Sequence, residues 1–161
     1  MHQERSLCRK FEIRSGRRWL TMPGNASTIP DTNVILRYLL RDNPEQFEKA
    51  DHYFESVRTG REKALLLESV LVECVYVLTK FYKIPKVEVA DSLSALLRYK
   101  GFVNHDKSVL LEALALFAAE NIDPVDCVMI AAGRHGNMKP FSFDKGLNRL
   151  FERLRESADR K

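Results

Sequence analysis

The chain has 161 residues, of which 45% are hydrophobic and 30% charged, with a formal net charge of +4. That length fits one domain with a two- or three-layer core, and the balance excludes a collagen-like or wholly disordered chain. No apolar run approaches the about 20 residues that span a bilayer, and no apolar core follows the basic N-terminus, so neither a membrane span nor a signal peptide is expected.

The charge is unevenly placed. Arg5, Arg9, Lys10, Arg14, Arg17 and Arg18 face only Glu4 and Glu12 in residues 1–21, an excess that equals the net charge of the whole chain. A basic arm can be a footprint for nucleic acid. Its lack of helical or strand periodicity points instead to a disordered extension, 1–21, ahead of one domain over 22–161. The three cysteines, Cys8, Cys74 and Cys127, are odd in number and widely spaced. Cys74 and Cys127 sit in apolar helical contexts and are read as reduced core residues of a cytoplasmic protein.

In chain order, "NASTIP" is a poor, short strand ended by Pro30. Val34, Ile35, Tyr38 and Leu39 then recur at helical spacing. Helix restarts at Pro44, a favourable first-turn residue, with Phe47, Ala50 and Phe54 on one side. "KALLLES" predicts a short buried strand, with Ser69 as cap of a helix that carries Val70, Leu71, Cys74, Val75, Leu78, Phe81 and Tyr82. A further helix starts beside Pro85, "GFVNH" predicts a short strand, and Asp106 can cap the helix that follows. "DPVDCVMIAAGRHG" is a helix with Asp123 as cap, Pro124 in its first turn and Gly136 at its stop. "KPFSFD" predicts a last strand and "KGLNRLFERLRES" a last helix. Strands alternating with helices predict an α/β fold around a short, mostly parallel sheet, whose ligands would lie at the carboxyl ends of the strands.

Four carboxylates fall at or near those ends. Asp31 follows the first strand, Asp144 the last, and Asp126 lies in the first turn of its helix. Glu73 is the odd one, on a helix where nearly every neighbour is apolar and no Lys or Arg stands one turn away. An ionised carboxylate there must face solvent or find a partner. Each acid alone has a modest explanation, as a helix cap, a dipole partner or an exposed side chain. Together they form an oxygen-rich set without nearby His or Cys, suited to a hard divalent cation such as Mg²⁺. No paired His or Cys spacing supports zinc, no glycine-rich phosphate loop supports a nucleotide, and no G-x-S-x-G step supports a serine hydrolase.

"DTNVILRYLLRDNPEQFEKA", "LVECVYVL", "NIDPVDCVMIAAG" and "FSFDKGLNRL", in that order, closely resemble the PIN-domain ribonucleases, in particular the VapC-like toxins of type II toxin–antitoxin modules. The resemblance spans roughly residues 29–153. It implies a PIN-like three-layer α/β/α fold and a Mg²⁺-dependent endoribonuclease, with Mn²⁺ as a possible substitute. Carried over motif by motif, it assigns Asp31, Glu73, Asp126 and Asp144 to catalysis. Asp31, Asp126 and Asp144 become the metal ligands, and Asn33, Asp123 and Ser142 supporting positions. It also implies an RNA substrate, an antitoxin protein as partner, and a homodimer. Two departures stand out: "NASTIP" is less apolar than the family's usual first strand, and Pro124 stands where an aromatic is common.

Two other functions compete with this one. A catalytically silent PIN-like module that binds RNA or protein would be marked by a missing acid, and none is missing. An aspartyl-phosphate module would want a second Asp beside the first and a Lys near the last, and gives Glu73 no role.

Overall fold

The computed structural model describes residues 26–158. The basic stretch 1–21 and Cys8 lie outside the described residues. Among those residues the chain forms α1 (Thr32–Leu40), α2 (Pro44–Thr59), α3 (Glu68–Tyr76), α4 (Lys86–Leu97), α5 (Lys107–Ala119), α6 (Pro124–His135) and α7 (Lys145–Ala158).

The first two helices are fixed by local chemistry. The Val34 amide donates to Asp31 Oδ1 at 2.8 Å, and α1 stops at Arg41 in a left-handed conformation. The Gln46 amide donates to Asn43 Oδ1 at 3.0 Å, Pro44 occupies the first turn, and Gly60 closes α2 at φ 80°. The α1–α2 pair encloses Phe54, which is fully buried and packs against the rings of Tyr38, Tyr53 and Phe102.

Helix α3 differs from expectation in two ways. It begins at Glu68 after Leu67, with no side-chain cap, so Ser69 does not cap it. It also runs into a π-helical turn, Val77–Phe81, where the Tyr82 amide reaches the Val77 carbonyl at 3.1 Å. Such one-residue expansions occur frequently at functional sites.

The expected strands contract to parallel bridges. Thr28 pairs with Ala64, and Ala64 with Phe102, so the segment at Ala64 lies in the middle. Leu65 N–H donates to Thr28 O, and Ala64 exchanges bonds with Gly101 and Val103. Gly101 sits where a Cβ would meet the carbonyl oxygens of Glu62 and Val57 at 2.2 and 2.5 Å, so only glycine admits this approach.

"KPFSFD" forms no bridge among the described residues. Its local bonds lead elsewhere: the Asp144 amide donates to Ser142 Oγ, and Asn148 Nδ2 to the Ser142 carbonyl. With Phe141 and Phe143 both exposed, the alternating pattern has no buried face to hold it in a sheet.

Around the bridges, α5 packs between α4 and α6, while α3 touches α1, α4 and α6. Ile35, Leu93, Leu97, Leu110 and Ile130 are fully buried in one continuous core. Burying each such side chain is worth about 1.5–3 kcal/mol. Cys74 and Cys127 are free thiols inside it, as their apolar contexts predict.

Candidate active site

Asp31 and Asp144 hold equivalent places on α1 and α7. Each precedes its helix and receives backbone N–H groups on Oδ1: from Val34 for Asp31, and from Gly146 at 2.6 Å and Leu147 at 3.2 Å for Asp144. Capping is therefore real at both positions. It engages one carboxylate oxygen and points the group along the helix N-terminus, where the dipole favours negative charge. Both side chains belong to exposed residues.

Glu73 is exposed rather than buried, and its partner is a hydroxyl. Thr32 Oγ1 donates to Glu73 Oε2 at 2.6 Å, across a sequence separation of 41 residues. Thr32 is itself buried, at 8% exposure, so this contact pins α1 to α3 directly beside Asp31.

One helical step further on, Tyr76 shares that face of α3. Its hydroxyl donates to Asp123 Oδ1. Asp123 precedes α6 but makes no side-chain cap there; its carboxylate is held by the tyrosine instead.

Asp126, half-buried in the first turn of α6, has its carboxyl pushed above its ordinary value. Burial is the main cause, followed by the negative charges of Asp123 and Asp144. The buried Cys74 thiol is pushed up to about 12 by burial, with the Glu73 and Asp31 charges adding to it. Thus Asp31 and Glu73 share one field beside the middle of α3, and Asp123, Asp126 and Asp144 share another.

None of these five carboxylates pairs with a cation among the described residues. The ion pairs there join other groups, such as Arg37 with Asp42, Arg134 with Glu112 and Arg153 with Glu120. Among the described residues no three His, Cys, Asp or Glu side chains are gathered closely enough to hold a metal ion. The donor set still fits Mg²⁺, which keeps several waters and commonly takes only one or two carboxylates plus substrate oxygens.

Space is available beside both groups. A cleft of about 580 Å³ opens at Asp31 and Asn33, with Arg37 and Lys49 on its wall. Another of about 420 Å³ opens at Tyr76 and Asp123, with Lys80 and Lys86 also lining it. Ser142 lies in the segment before Asp144, where its hydroxyl receives the Asp144 amide and fixes the approach to α7.

Sequence reasoning passed over Thr32 and Tyr76. Thr32 adjoins Asp31 in the chain, and Tyr76 lies three residues after Glu73 on the same helix face, so the spacing carried the second signal.

The PIN domain family matches residues 28–152, which include every one of these side chains. The chain belongs to the PIN-domain family. It is 26% identical over 121 residues to the VapC ribonuclease of Aquifex aeolicus (strain VF5), an alignment covering 74% of this chain and 89% of that protein. No solved structure matches the chain. The family implies an α/β PIN-like fold; among the described residues strand pairing is limited to the parallel bridges of Thr28, Ala64 and Phe102. No helix among the described residues is long and apolar enough to cross a membrane.

Proposed function

We propose that this PIN-domain protein is a Mg²⁺- or Mn²⁺-dependent endoribonuclease, the toxin of a type II toxin–antitoxin pair, acting in the cytoplasm and restrained by an antitoxin protein. The observation that carries this reading is the set of five carboxylates around α3 without a cationic partner among the described residues. Like charges held in this way favour an external cation. The likeness to a protein named VapC ribonuclease supplies the substrate class.

In this reading Asp31, Asp126 and Asp144 would hold the ion largely through its waters, since no three such side chains among the described residues stand close enough to ligate it directly. When bound, a divalent ion offsets the negative charge of the scissile phosphodiester and acidifies a water for attack. Glu73, whose Oε2 receives the Thr32 hydroxyl, would accept a proton from an attacking water on Oε1. Asn33, at the wall of the Asp31 cleft, orients the substrate by hydrogen bonding. Asp123, held by Tyr76, adds negative potential beside Asp126. Lysine and arginine side chains along the clefts position the RNA backbone through phosphate contacts, which makes affinity fall with salt. Two copies of the chain form the working unit, as the resemblance implies.

Inducible expression without a partner tests this function. Growth should slow with the wild type, new RNA ends should accumulate, and Asp31→Asn should abolish both effects. Equal toxicity of wild type and variant, with no new RNA ends, would overturn it.

A further inference from the structure

Phe141 and Phe143 are 93% and 95% exposed, whereas most of the large apolar side chains among the described residues are buried or half-buried. They are not scattered. Their rings meet edge to face at 5.9 Å, on the segment that leads into Asp144. Exposing two such rings forgoes the stabilisation that burial would bring, so the pair calls for an occupant.

The size of the patch decides between occupants. A phenylalanine carries about 150–250 Å², and even with the partly exposed Met138 the patch stays short of the roughly 800 Å² per partner that a stable protein interface buries. It is ample for one or two nucleobases. Its surroundings also suit a polyanion: Lys145 and Arg149, both exposed, lie in the first turns of α7 immediately after Asp144. Bases stacked on aromatic rings, with phosphates near cations, form the general pattern of single-strand recognition.

We propose that Phe141 and Phe143 form a stacking platform for unpaired RNA bases beside the Asp144 carboxylate. This rests on the ribonuclease reading of the same site. The backbone bonds from Asp144 to Ser142 Oγ and from Gly146 to Asp144 Oδ1 fix the segment on which both rings are carried, so the platform stands at a set position relative to the carboxylate.

The test uses the full chain in chelator, so that binding is read without cleavage. The probe is a short oligoribonucleotide carrying 2-aminopurine, alone and annealed to its complement. The wild type should quench the single strand and not the duplex. Phe141→Ala with Phe143→Ala should abolish quenching and weaken single-strand binding by about tenfold or more, at unchanged melting temperature. Phe141→Trp with Phe143→Trp should restore both. Equal affinity and quenching in the alanine variant would overturn the proposal, as would equal binding of strand and duplex. So would unchanged RNA binding accompanied by a shift from dimer to monomer in sedimentation, which would assign the rings to an interface between copies. A parallel assay with Mn²⁺ separates the two readings. Quenching without cleavage would remove the nuclease and keep the platform; cleavage without quenching would remove the platform alone.

Discussion

The Thr32 hydroxyl and the Glu73 carboxylate, 41 residues apart in sequence, meet at 2.6 Å and tie the start of α1 to the middle of α3. The contact gives the exposed Glu73 carboxylate a neutral donor in place of a cation. It also sets the direction of one Glu73 oxygen and leaves the other for chemistry. Thr32→Val should therefore lower RNA cleavage about tenfold and cost about 1 kcal/mol of stability. Glu73→Gln should lower cleavage further, while chemical denaturation shows a smaller stability change. Loss of stability in Thr32→Val with unchanged kcat/KM would make the contact purely structural.

Asp126 gives a pH dependence with a definite sign. Its folded-state pKa is raised, so its contribution to stability is fully present below the unfolded value and is lost as pH rises through the folded one. Asp42, Glu55 and Glu152 act oppositely. Hydrogen bonds from Arg37, Arg58 and Lys139 respectively hold them below their ordinary values, so their contributions are lost as pH falls. In chelator at neutral pH, Asp126→Asn should melt at or above the wild type. The gap should close as pH is lowered toward the ordinary carboxylate range. A variant that melts lower than wild type throughout would mean that Asp126 serves mainly as a favourable charge at the helix N-terminus.

Gly101 is the tightest backbone passage near the bridges. A Cβ there would strike the Glu62 and Val57 carbonyl oxygens, both of which belong to backbone rather than to yielding side chains. Gly101→Ala should cost about 1–3 kcal/mol or more, read as a lower denaturation midpoint. An unchanged midpoint would show that the α2–bridge junction relaxes freely.

The buried thiols report on opening of the core. Burial pushes both Cys74 and Cys127 up to about 12, aided by the neighbouring acids. In a Cys8→Ser background, neither should react with a thiol reagent at neutral pH faster than the core opens. Rapid labelling under native conditions would contradict their burial.

Most of the helical frame was legible in the sequence because each signal was local. Asn43, Pro44 and Gly60 bracket α2 as their chemistry requires, and Pro124 opens α6. The expected strands were harder, since short apolar runs do not disclose how many residues will pair. Among the described residues only Thr28, Ala64 and Phe102 do so. "KPFSFD" shows the limit of period-2 reasoning, where alternation was present and a covering layer was not. The π-helical turn was hidden because one extra residue scarcely disturbs the apolar spacing from Val70 to Tyr82. At the candidate site, Asp31, Asp126 and Asp144 lie at helix starts as their sequence contexts suggest. The partner of Glu73 was not legible, because a hydroxyl in a distant segment leaves no periodic trace.

The most direct measurement is cleavage of end-labelled single-stranded RNA as Mn²⁺ is titrated into the chelator-treated protein, for wild type, Asp126→Asn and Asp144→Asn, with melting temperature followed in parallel. The account predicts wild-type cleavage that rises with Mn²⁺ and is abolished by chelator. It also predicts a stabilisation of about 2.7 kcal/mol when the ion is at 100 times its dissociation constant. Both effects should be lost or sharply reduced in the two variants. Cleavage indifferent to Mn²⁺ and chelator, or equally active variants, would contradict the claim that these carboxylates work through a bound cation.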